Sequence, residues 1–169
     1  MFVRMMRDKG FDFYWHDKYA ANQFANGFEA PVDRKFSLLT ALEVFEHLYQ
    51  PLEIIEEMLR YSKTIIFSTR VLPHWKILPE SWWYFTPDSG QHVSLYSIES
   101  LRIIAQRFNL HLSSNGISLH ILSSRAVAGI MLKALSFYPL AGALSQLLNI
   151  RRKSLLDDDY FRLTGRKLS

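Results

Sequence analysis

The run Phe36-Ser37-Leu38-Leu39-Thr40-Ala41-Leu42-Glu43-Val44-Phe45-Glu46-His47-Leu48, with Pro51 three residues on, organises the rest of the chain around it. Residues 35–41 are brief and largely apolar, which reads as a buried strand, and the end of that strand carries Glu43, Glu46 and His47. Pro51 suits the first position of a helix, because it has no N–H to leave unsatisfied there. Leu52, Ile55, Met58 and Leu59 then fall on one face, opposite Glu53, Glu56, Glu57 and Arg60. Residues 64–68 are apolar and β-branched, a further strand. A strand, a helix and a strand joined at crossover length argue for a parallel sheet covered by helices.

Upstream, residues 1–10 read as the end of an amphipathic helix, and they lack the apolar core and cleavage site of a signal peptide. Residues 11–16 form an aromatic-rich run after Gly10 and predict a strand. Residues 17–26 have helical composition up to Gly27, and 28–30 predict a very short strand before Pro31. Downstream, Ser97 caps a helix in which Leu101, Ile104, Ala105 and Phe108 repeat at helical spacing. Residues 110–114 and 118–122, around Asn115-Gly116, predict an antiparallel pair with a tight turn. The class is α/β.

From 126 to 150 the chain is strongly apolar but interrupted by Lys133, Pro139 and Gly142. It reads as a bent helical hairpin, or as a membrane-surface helix leading into Arg151-Arg152-Lys153. The expected division is a domain over 1–125 and an apolar hairpin with a basic tail over 126–169.

A chain of 169 residues, 49% hydrophobic, suffices for one substantial core and not two. Without cysteine there are neither disulfides nor thiolate metal sites, and a cytoplasmic location is the default expectation. The net charge of +4 is weighted to the tail, which serves solubility or contact with an anionic surface. Peripheral membrane contact through 126–153 is one expected partnership; a nucleic-acid partner is not expected.

Doubly wound sheets place ligands at the carboxyl ends of their strands. Asp17 has such a position and either accepts the ribose hydroxyls of a nucleoside cofactor or caps the residues after it. Glu43, Glu46 and His47 stand at i, i+3 and i+4, on one face of a helical turn. Two carboxylates so placed repel unless a cation intervenes, and oxygen with imidazole suits magnesium, manganese or zinc. His92, in Gly90-Gln91-His92-Val93-Ser94, is a candidate fourth ligand or general base. The plainer alternative is an exposed helix start with a local Glu46–His47 pair. Trp82, Trp83, Tyr84 and Phe85 either wall an apolar or planar acceptor or plug the top of the sheet. His16, His74, His111 and His120 lack partners at recognisable spacing and read as structural.

The opening run with Pro51 resembles the fourth-strand motif of class I S-adenosylmethionine-dependent methyltransferases. Trp82-Trp83-Tyr84, Pro87 and Gly90-Gln91-His92-Val93-Ser94-Leu95-Tyr96-Ser97 resemble the region after the fifth strand in a bacterial branch, the methyltransferase domain 23 family. The similarity runs from about Phe2 to Ser124 and implies a Rossmann-like sheet with a C-terminal helical tail. It also implies that Asp17 binds the cofactor ribose and that Thr40, Ala41, Leu42 and Glu43 line the cofactor. Glu43, Glu46, His47 and His92 are similar to the metal set of ubiquinone-type and small-RNA 2′-hydroxyl methyltransferases, with His47 and His92 as catalytic candidates. Trp82, Trp83, Tyr84 and Gln91 would face a small-molecule acceptor. The family's first strand and glycine-rich loop have no counterpart after Met1, so the chain is read as N-terminally truncated with impaired cofactor binding. The alternative is a non-catalytic remnant whose sheet edge is covered by a protein partner.

Overall fold

Thr64-Ile65-Ile66-Phe67-Ser68 forms a central strand whose alternate side chains, Ile65 and Phe67, are fully buried. The computed structural model describes residues 1–73, 81–137, 139 and 152–168. They belong to two compact units: Lys35–Ala143 in one, and Met1–Arg34 with Leu144–Ser169 in the other.

In the first unit, β1 (Leu39–Leu42), α2 (Pro51–Tyr61) and β2 (Thr64–Ser68) make the expected parallel crossover, with Leu39 opposite Ile65 and Leu42 opposite Ser68. α3 (Ile98–Arg107) follows, and then β3 (His111–Ser114) and β4 (Leu119–Ser123) form the expected hairpin. The described sheet runs β1-β2-β4-β3, with β4 antiparallel to both neighbours. The result is a mixed sheet of the Rossmann-like class, parallel on one side and closed by an antiparallel pair on the other.

The local chemistry explains these elements. Pro51 opens α2, and Ile55 on its inner face is fully buried. Ser97 and Ser100 form a reciprocal capping box at α3. In the hairpin, Asn115 Oδ1 accepts the N–H groups of Ile117, Ser118 and Leu119, and Gly116 takes φ +84°. The core gathers Ala41, Phe45, Ile55, Ile65, Phe67, Leu101 and Leu122, with the Phe45 and Phe67 rings stacked at 3.9 Å.

The strand expected over 35–41 begins four residues later, at Leu39, and ends at Leu42. Phe36 N–H bonds the Tyr61 carbonyl and Lys35 Nζ the Arg60 carbonyl, so the chain there pairs with the end of α2. Only from Leu39 does it have β2 alongside.

The second unit contains α1 (Phe2–Asp8) and α5 (Leu156–Thr164). The strand expected over 11–16 is reduced to one bridge, Trp15 with Glu29, the latter in the short segment read as a strand over 28–30. Its backbone is used locally, since Arg7 Nη1 donates to the Phe13 carbonyl at 2.8 Å and Phe13 N–H bonds Phe11 O. The helix expected over 17–26 is absent. Asp17 Oδ1 accepts the Tyr19 and Ala20 N–H groups and Asn22 Oδ1 that of Ala25, so side chains compete for donors a helix needs.

Arg7 holds this unit together. Its guanidinium donates to both Asp159 carboxylate oxygens, at 2.8 and 2.7 Å, and to Asp12 at 2.8 Å, and lies 3.9 Å from the centre of the Phe28 ring. Burial alone would lower its pKa; the hydrogen bonds to Asp159 and Asp12 outweigh that and raise it.

Within the described part of the apolar tail, residues 126–137 and 139, lies the helix α4 (Gly129–Ser136). His74 and most of the hairpin expected beyond α4 lie outside the described residues. Among the described residues no helix is long and apolar enough to cross a membrane.

Arg7 and the buried His120 each give a measurable outcome. Arg7→Ala removes both short bonds to the Asp159 carboxylate, whose side chain is only 4% exposed, and leaves it Arg4 at 3.1 Å, so it should lower unfolding free energy by about 3 kcal/mol in urea titration. Removing the exposed Arg4 partner with Asp8→Ala should cost less than about 1 kcal/mol. His120 is fully buried, donating from Nε2 to the Thr69 carbonyl and accepting at Nδ1 from Ser114. Burial lowers its pKa, against the opposing effect of the Thr69 bond. The unfolded state therefore binds a proton first as pH falls, so this contribution to stability is complete above the unfolded imidazole pKa. It is lost as pH falls toward the lower folded value. His120→Gln should start less stable at neutral pH and lose less stability than the wild type between about pH 7 and pH 5, read as melting temperature.

Candidate functional site

The parallel pairing of β1 with β2 brings Leu42 and Ser68 side by side at the carboxyl ends of both strands. Glu43, the next residue, has φ +52°, an unusual left-handed conformation for a residue with a side chain. Ser68 secures it: Glu43 N–H donates to Ser68 Oγ at 2.8 Å, and Ser68 Oγ–H donates back to Glu43 Oε1 at 2.6 Å. Backbone strain of this kind tends to collect at functional sites.

The left-handed step removes Glu43 from the helical turn on which Glu46 and His47 sit. That turn is a short 3-10 segment, Phe45–His47, which buries Glu46 completely and leaves His47 exposed. The expectation that Glu43, Glu46 and His47 share one helical face is thus replaced by a different grouping. Glu46, His47 and His92 have ligand atoms within 4.8 Å of one another, whereas Glu43 is not in that group.

Hydrogen bonds orient each member. Tyr84 OH donates to Glu46 Oε1 at 2.7 Å, while Glu46 Oε2 is buried without a hydrogen-bond partner among the described residues. His47 Nδ1 donates to the Gln91 carbonyl at 2.8 Å, and His92 Nδ1 to the Tyr84 carbonyl at 2.5 Å. A carbonyl accepts only, so each neutral ring has its proton on Nδ1 and its lone pair on Nε2. The rings meet edge to face at 5.1 Å between centres. The Glu46 carbonyl accepts the Val93 and Ser94 N–H groups, which binds the segment holding His92 to the 3-10 turn.

Tyr84 is the hub. Its hydroxyl also lies 3.4 Å from Glu43 Oε2 and from Thr69 Oγ1, and accepts the Arg70 N–H at 3.2 Å. Burial, reinforced by the Glu46 charge against the Thr69 and Arg70 hydrogen bonds, pushes its pKa up to about 12, so it remains a donor. Burial likewise pushes Tyr96 to about 12, where its hydroxyl bonds the Phe45 carbonyl.

Of the four residues expected to face an acceptor, Trp82 and Tyr84 are buried, whereas Trp83 and Gln91 are exposed. Arg70 lies over the Trp83 ring at 5.1 Å. Of those expected along the cofactor, Ala41 is buried, Thr40 is half-buried, and Leu42 and Glu43 are exposed at the strand end. Asp17 is exposed in the other unit, with Oδ1 engaged by two backbone N–H groups. Sequence reasoning gave no role to Ser68, Thr69 or Tyr96, although Ser68 ends an expected strand and Tyr96 lies in the Gly90-to-Ser97 motif.

A protein-family model described as a methyltransferase domain matches residues 1–115. No curated protein and no solved structure gives a significant match.

A double-mutant cycle tests the hub. Tyr84→Phe leaves the buried Glu46 carboxylate without its donor and should cost about 1–3 kcal/mol of stability. In a Glu46→Gln background the same change should cost clearly less, because the carboxylate charge that needed the donor is gone. Additive losses would show that the bond is incidental.

Proposed function

Since the chain belongs to the methyltransferase domain family, we propose that it transfers a methyl group from S-adenosylmethionine to a hydroxyl oxygen of a small molecule, beside a divalent cation. The observation that carries the cation is the orphaned Glu46 Oε2, buried next to two imidazoles whose Nδ1–H groups are already committed to carbonyls. An unpaired buried carboxylate oxygen is costly, and a metal-ligating histidine usually offers the lone pair of one ring nitrogen while the N–H of the other donates to a carbonyl or carboxylate. Glu46, His47 and His92 fit a magnesium, manganese or zinc ion.

The cofactor, when bound, supplies an electrophilic methyl group on its sulfonium. The cation, when bound, lowers the pKa of an acceptor hydroxyl. The chain's own part is placement. Thr40, Ala41, Leu42 and Glu43 offer the cofactor wall, and the exposed Leu42 presents apolar surface there. Ser68 holds Glu43 in position, Tyr84 fixes the Glu46 carboxylate, and the Gln91 and Tyr84 carbonyls fix the two rings. Trp83, backed by Arg70, and Gln91 are the exposed groups that would meet the acceptor. A cytoplasmic location accords with this reading.

A second reading, a non-catalytic domain with a protein partner on its sheet edge, draws on one observation: among the described strands β1 pairs with β2 alone.

Calorimetry with S-adenosylhomocysteine and manganese(II) separates them. The first reading expects a saturable isotherm for each ligand. Leu42→Glu, which puts a charge on the apolar cofactor wall, should weaken the nucleoside roughly tenfold or more, and His92→Ala should weaken manganese to a similar degree or more. Absence of both isotherms in folded protein would overturn it in favour of the partner reading; nucleoside binding alone would remove the cation and leave methyl transfer.

A further inference from the structure

The helix α4 is amphipathic in the wrong direction for a globular protein. Gly129, Leu132 and Ser136 form its inner stripe. A Cβ on Gly129 would stand 3.0 Å from the Ser114 carbonyl, Leu132 is buried, and Ser136 Oγ accepts from Asn115 Nδ2 at 2.9 Å. Val127 N–H bonds Ser113 Oγ at 3.0 Å just before the helix. Small and polar residues thus fasten α4 to the β3–β4 hairpin, while its large apolar side chains face outward. Ile130 is 78% exposed, Met131 52%, Leu135 44% and the adjoining Phe137 58%. Isolated exposed apolar residues are ordinary, but four within eight positions form a patch that calls for an occupant.

Charge identifies that occupant. Within the unit that carries α4, the sequence from residue 100 to residue 143 contains four lysines and arginines and no aspartate or glutamate. Arg125 and Lys133, both exposed, flank the patch itself. A second copy of the chain on this face would bring like charges together, whereas anionic headgroups would neutralise them. An eight-residue helix is about 12 Å long, too short to span a bilayer and suited to lying in its interface with the apolar side down.

We infer that the outer face of α4 docks on an anionic lipid bilayer, Ile130, Met131, Leu135 and Phe137 entering the headgroup boundary and Arg125 and Lys133 meeting the headgroups. This attachment is independent of the methyl-transfer reading.

Flotation of the full chain with vesicles tests it. The protein should float with phosphatidylcholine–phosphatidylserine vesicles and remain below with phosphatidylcholine alone. Ile130→Ser/Leu135→Ser/Phe137→Ser changes only exposed positions and should abolish flotation with an unchanged melting curve. Arg125→Gln/Lys133→Gln, which spares the apolar residues, should weaken binding roughly tenfold, and raised salt should weaken wild-type binding. Failure to float on anionic vesicles, equal flotation on both compositions, or flotation unaffected by the triple serine variant would overturn the inference. So would a concentration-dependent mass, abolished by the triple variant, in protein that ignores vesicles; a second copy would then be the occupant.

Discussion

Glu46 is a carboxylate removed entirely from water, and the chain around it is arranged to meet the cost of that burial. Its side chain requires a donor, which Tyr84 supplies from a 3-10 turn at Trp83–Phe85. Its own carbonyl takes the Val93 and Ser94 N–H groups, so the following segment must run beside the turn that carries His47. Once that is so, the Gln91 carbonyl reaches His47 and the Tyr84 carbonyl reaches His92. The convergence of one carboxylate and two imidazoles therefore depends on a few hydrogen bonds centred on one residue.

Parallel pairing supplies the second half of this arrangement. β1 and β2 end in register, which sets Ser68 within reach of both the backbone and the side chain of Glu43. That contact holds a left-handed glutamate in place and keeps it apart from the Glu46 group. Two neighbouring carboxylates thus have different surroundings: Glu43 is exposed and held by a hydroxyl, and Glu46 is buried with one oxygen left over. Divergent environments for paired acids are a usual sign of divided roles.

The unit formed by the N-terminal segment and α5 follows the same rule with the opposite charge. Arg7 is buried only because Asp159 and Asp12 neutralise it and aromatic faces of Phe28 and Tyr14 cover it. Local chemistry nevertheless misled sequence reasoning in this unit. Residues 17–26 have the composition of a helix, but Asp17 and Asn22 spend their carbonyl and carboxylate oxygens on nearby N–H groups. The aromatic run at 11–16 has the composition of a strand, yet Arg7 takes one of its carbonyls. Neither competition shows in a count of residue types.

The sequence by itself determined whatever depends on near neighbours. The Pro51 helix, the strand at Thr64–Ser68, the Ser97 cap and the Asn115-Gly116 hairpin are each encoded within about a dozen residues, where propensity and capping dominate. The family resemblance, carried by contiguous motifs, was legible for the same reason. Tertiary structure alone decided that Glu43 leaves the group while His92, a candidate from sequence, stays in it, and that Tyr84 serves Glu46 instead of lining an open pocket. It also decided that α4 turns its apolar face outward. These outcomes rest on backbone carbonyls, a positive φ and contacts across some forty residues of chain, and none of these leaves a periodic trace in the side-chain pattern.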